Sequence, residues 1–145
     1  MKGNLKRQDS MDKSTSARLD VSGATMRRIL LFDAAWDFLL GIAILSLPWT
    51  AEPLLGFRLG NWWPLAAISG VGCMAFAGVL VRGAGGARPK EICTIAAIAN
   101  GLGAGFLMAI VALVPGLDQA ANITLLVVAL VCGGFAFIEW RQVRP

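Results

Sequence analysis

Charged residues fall in clusters along the chain, and between them it runs apolar for lengths that match a lipid bilayer. A hydrocarbon core of about 30 Å requires about 20 apolar residues of helix. Residues 62–81 form a charge-free run of that length. Residues 92–114 form a second, with the uncharged Asn100 inside it, and residues 120–139 a third, entered at Asn122 and left at Glu139 and Arg141. The first run is shorter: only 14 uncharged residues separate Asp37 from Glu52, about 21 Å of helix. To cross the bilayer this helix must begin near Ile29 and carry Asp33 and Asp37 within it, giving a span over 29–49. The pattern predicts an all-α integral membrane protein of four transmembrane helices, built as two tandem helical hairpins. Residues 1–28 form a polar, basic tail, expected to be disordered and cytoplasmic, and 29–145 the transmembrane domain.

Composition supports lipid as the solvent. Of the 145 residues 57% are hydrophobic and 15% charged, and mean hydropathy is +0.68; soluble domains run nearer 45–50% and about 25%. The chain has no His, which removes the commonest general base and metal ligand. Cys73, Cys93 and Cys132 form no CxxC pair and read as small packing residues. Gly83-Ala-Gly-Gly86 follows a membrane helix and lacks the Lys-Ser/Thr of a phosphate-binding loop, so it reads as a flexible turn. The expectation is no enzyme, no cofactor, no metal and no nucleic-acid partner.

The basic residues set the orientation. Lys2, Lys6, Arg7, Lys13, Arg18, Arg27 and Arg28 precede the first span, Arg82, Arg88 and Lys90 lie between the second and third, and Arg141 and Arg144 follow the fourth. With four spans all of these share one side, and only Arg58 faces the other. The positive-inside rule then places both termini in the cytoplasm of a bacterial inner-membrane protein. The tail is expected to be drawn to anionic headgroups or to be solvated without a role. The first apolar run ends in Leu47-Pro-Trp-Thr-Ala-Glu52, which offers no signal-peptide cleavage site, and Met26 offers an alternative start. Trp49, Trp62 and Trp63 at the outer boundary, with Trp36 and Trp140 at the inner, read as interfacial anchors.

Helices in lipid associate through small residues. Cys93, Ala97, Gly101, Gly105 and Ala109 recur at every fourth position of the third span, Gly70 anchors a similar set with Ala66, Ser69, Cys73 and Ala77, and Gly133 joins Ala129, Cys132 and Ala136. These stripes are expected to pack the bundle, with a homodimer through the third span as the alternative. Asp33 precedes Pro48 by 15 positions and Asn100 precedes Pro115 by the same interval. Each Pro is expected to end its helix, and Asn61 and Asn122 to open the returning ones, as in a duplicated hairpin.

Trp36, Leu40-Gly41, Ser46-Leu-Pro48-Trp49, Leu55-Gly56-Phe57, Asn61-Trp62 and Gly70 resemble the hairpin of the bacterial SPW-repeat membrane proteins. The match covers about residues 30–80, with a Leu inserted between Ser46 and Pro48. The second half keeps Asn100, Pro115, Gly116 and Asn122. The resemblance implies a small multi-pass membrane protein of a family without an established activity.

Buried charge is the default suspect for function in a membrane span. Asp33 and Asp37 lie one turn apart on one face, about 6 and 12 Å beyond Ile29. They repel, and burial disfavours charge, which suits a proton relay or cation site. The alternative is structural: acids near a helix N-terminus complement its dipole, with Arg27, Arg28, Arg82 or Arg141 near the same layer. Asn100, about 12 Å into its span, is expected to face Asp37. Glu139, at a helix end where the dipole disfavours acid, is expected to pair with Arg141 or another Arg. The leading expectation is a non-enzymatic structural or accessory subunit of a larger membrane assembly, or a homo-oligomer, whose partners are lipids and other subunits. The apolar loop 50–60 would lie on the interface or dock such a partner. The alternative is a small proton- or ion-coupled transporter using Asp33 and Asp37.

Overall fold

A computed structural model of the chain describes residues 3–50, 63–86, 88–114 and 117–144, with side chains of the first helix described from residue 23 onward. Four helices follow one another: α1 (Gly3–Thr50), α2 (Trp63–Gly85), α3 (Pro89–Leu113) and α4 (Gln119–Val143). Gly23–Thr50, Trp63–Gly85, Pro89–Leu113 and Gln119–Val143 are each long and apolar enough to cross a membrane. The four spans read from charge spacing are therefore present, each extended by a few residues. Arg58, Asn61, Trp62, the apolar loop, Pro115 and Gly116 lie outside the described residues.

The helix ends follow local chemistry. Asp118 caps α4, its Oδ1 accepting from the Ala121 backbone N–H at 2.6 Å, and so satisfies one of the donors a helix start leaves free. Asn122, expected to open this helix, sits inside its first turn and donates from Nδ2 to the Leu117 carbonyl at 3.3 Å. Pro89 lies in the first turn of α3, where a missing N–H costs nothing. Pro48 does not end α1 at once; the helix runs on to Thr50. There Thr50 Oγ1 donates to the Ser46 carbonyl at 3.0 Å and Ser46 Oγ to that of Ala43 at 2.7 Å. At its other end α1 begins at Gly3, so helix occupies the segment expected to lack order. No Pro interrupts it before Pro48, and its Leu, Lys, Arg, Met and Ala residues are good helix formers.

The closest packing is α1 on α2 and α3 on α4. The first pair touches backbone to backbone: a Cβ on Gly41 would lie 2.7 Å from the Gly70 carbonyl oxygen, and one on Gly70 would lie 2.9 Å from that of Gly41. Toward the Arg-bearing ends Met26, Leu30 and Ala34 of α1 join Ala77, Leu80 and Ala84 of α2 and Cys93 and Ala96 of α3 in one buried cluster. Gly83, expected in a turn, is helical and buried, with Ile92 so close that a Cβ would meet its Cγ2 at 2.5 Å.

The third-span stripe packs only in part. Cys93 and Ala97 are buried. A Cβ on Gly101 would lie 3.8 Å from Ala136, one on Gly133 would lie 3.8 Å from Ala104, and Gly105 has open space where its Cβ would be. Ala109 is exposed. Four residues advance a helix by about 400°, so a fourth-position stripe rotates about 40° per step and leaves the interface within three steps. Apart from Met26, Leu30 and Leu80 the buried residues are small or polar, while Phe32, Leu102, Leu130 and Phe137 point outward. Such a distribution suits lipid, which solvates large apolar side chains and leaves small residues to bring backbones together. Trp49, Trp63 and Trp140 are exposed, while Trp36 is half-buried with its Nε1 inside the bundle.

Candidate functional site

Four polar side chains are buried among the described residues: Asp33 and Glu139 at 0% exposure, Asp37 and Asn100 at 5%. They are the four the sequence singles out, and the fold brings them to one region from three helices. Asp33 of α1 and Asn100 of α3 lie level with each other in the bundle, close enough to bond directly. Asn100 Nδ2 donates to Asp33 Oδ2 at 2.9 Å and to Glu139 Oε2 at 3.2 Å. A carboxamide NH2 has two hydrogens, and here each serves one carboxyl, tying α1, α3 and α4 together.

Two expected pairings are thereby corrected. Asn100 bonds to Asp33 and not to Asp37, because the slide of one helix past another is set by how they pack and not by where their apolar runs begin. Glu139 bonds to Asn100 and not to Arg141; the Glu139 side chain turns inward, while the Arg141 guanidinium lies 5.8 Å from the centre of the Phe137 ring. Arg27, Arg28 and Arg82 are exposed. Among the described residues the ion pair formed is Arg88 with Glu91, on the surface at 3.5 Å, and none reaches the buried carboxyls. Asp33 Oδ1, Asp37 Oδ2 and Glu139 Oε1 are buried without a hydrogen-bond partner. Cys93 Sγ lies 3.7 Å from the Glu139 carbonyl oxygen, and all three cysteines are free thiols.

A cavity of about 590 Å³ lies between the helices. Asp37, Phe76, Asn100 and Cys132 line the end nearest the carboxyl cluster, and Leu47, Leu107 and Leu117 line the other. The ten residues from Asp37 to Leu47 give it a length of about 15 Å. Its wall is otherwise mostly aliphatic and aromatic, relieved by Ser69 and Thr124, and Thr124 Oγ1 is engaged by its own helix at the Ala120 carbonyl. The sequence gives no sign of this space, which depends on how far apart the helices stand. Asp118 also escaped sequence reasoning, although an acid just before an apolar run is a cap signal. Compared with protein-family models, curated proteins and solved structures, the chain matches none.

Proposed function

We propose that the chain is a small proton-coupled transporter of a bacterial cytoplasmic membrane, built as two tandem helical hairpins with both termini in the cytoplasm. One observation carries this reading: Asp37, almost wholly buried, lines the cavity beside the cluster with an unpartnered carboxyl oxygen. A purely structural carboxylate at such depth would be expected to have its oxygens satisfied. Asp33, one turn away, and Glu139 converge on a single amide. Two carboxylates held that close are not readily ionised together, so the cluster suits a proton that passes between partners. The cavity supplies a route from Asp37 toward one face of the membrane, and the cluster lies toward the Arg-bearing ends, which the positive-inside rule assigns to the cytoplasm.

Reconstitution tests the reading. In liposomes holding a pH-sensitive dye, the wild-type chain is expected to dissipate an imposed pH gradient faster than protein-free liposomes. Equal rates would remove the proton coupling. A second reading, an accessory subunit or a homo-oligomer, draws on the outward-facing Gly101, Gly105 and Ala109, which leave a flat strip for another helix. In mild detergent it predicts a native mass above that of one chain.

A further inference from the structure

We infer that the cavity is a binding site for a lipophilic organic cation, with Asp37 as its counter-ion. The inference rests on the transport reading and names the substrate class for it. Its volume of about 590 Å³ falls within the range of sites that enclose drug-sized molecules. Among the described residues that line it, Asp37 is the one charged side chain, and none is Lys or Arg. An anion would therefore meet an uncompensated carboxylate. A small inorganic cation would need several oxygen ligands, and among the described lining residues Asp37 is joined by no other polar oxygen-bearing side chains than Ser69, Thr124 and the already committed Asn100.

A cation whose charge is spread over a large apolar body fits both features. It loses little hydration on entering, its surface meets Leu, Ile and Val side chains, and Phe76 and Phe106 add aromatic faces that attract cations. Asp37 Oδ2, buried and without a protein partner, is then matched by the ligand. Because the same carboxyl is where a proton would sit, cation and proton compete for it. That competition is the minimum requirement for exchanging one against the other.

The test is equilibrium binding of radiolabelled tetraphenylphosphonium to the full chain in mild detergent at mildly alkaline pH. Saturable binding is expected, weakening as pH falls, and tetraphenylborate, of the same shape and opposite charge, is expected not to compete. D37N is expected to weaken binding about tenfold or more, and D37E to restore part of it. Gly103→Leu, which places a side chain where Gly103 lines the cavity with open space around it, is expected to block binding with Asp37 intact. That variant keeps the test valid should D37N fail to fold. No saturable binding, equal competition by tetraphenylborate, or binding unaffected by Gly103→Leu would overturn the inference and identify the cavity as a gap filled by lipid. Proton flux without tetraphenylphosphonium binding would remove this inference alone. Binding without flux would leave it standing and remove the coupling.

Discussion

Asp33 and Asn100 are 67 residues apart in the chain and joined by a hydrogen bond of 2.9 Å. Each precedes a proline by 15 positions in the sequence. An acid on one helix and an amide on the other make that meeting a bond, where two ionised acids would repel.

Loss of the Asn100 amide is the first prediction. Asn100→Leu removes both donors and leaves Asp33 and Glu139 facing each other without a partner. The expected cost is about 1–3 kcal/mol of stability, seen as a lower melting temperature in detergent. Pairing it with Glu139→Gln, which returns a donor to the site, is expected to recover part of the loss. A variant as stable as wild type would show that the bonds bear no load.

Glycine positions divide sharply. Gly70→Ala would push a Cβ to within 2.8 Å of Leu45 Cγ and 2.9 Å of the Gly41 carbonyl, and overpacking of this kind costs about 1–3 kcal/mol. Gly105→Ala meets open space and gains helix propensity of up to about 1 kcal/mol. Thermal unfolding of the two variants is expected to move in opposite directions. A matching loss at Gly105 would place that face in a protein interface.

The span count and the four buried polar residues were legible in the sequence, because charge in lipid is costly enough that its placement outlines the helices. Partner choice was not. Which residues of two helices come level depends on how the helices slide past each other in packing, and the apolar runs do not fix that. Glu139 was expected to pair with an Arg because it sits near a helix end where the dipole disfavours acid, yet its side chain turns to Asn100. The Gly101–Gly105 stripe misled for a different reason: spacing of four residues follows a helix face only briefly before rotating off it. Gly41 against Gly70 is the contact that brings two backbones together, and the sequence carried no measure of which glycines would meet.

Capping supplies a prediction independent of the site. Asp118→Ala removes the bond to the Ala121 N–H and is expected to cost about 0.5–2 kcal/mol. Asp118→Ser, which keeps an acceptor, is expected to recover most of it. Melting curves of both variants decide, and equal losses would show that the cap is not the source of the effect.

Topology can be checked without knowledge of a substrate. Fused at the C-terminus, green fluorescent protein is expected to fluoresce and alkaline phosphatase to be inactive if the proposed orientation, with the end bearing Arg141 and Arg144 in the cytoplasm, holds. The reverse pattern would place the cavity's far end toward the cytoplasm and invert the direction of transport.

Stability and proton flux measured on the same D37N protein test the central claim most directly. Asp37 Oδ2 has no partner to lose, so the variant is expected to melt within a few degrees of wild type while its proteoliposomes dissipate a pH gradient no faster than protein-free ones. A variant that folds and conducts protons like wild type would contradict the assignment of Asp37 as a working carboxyl.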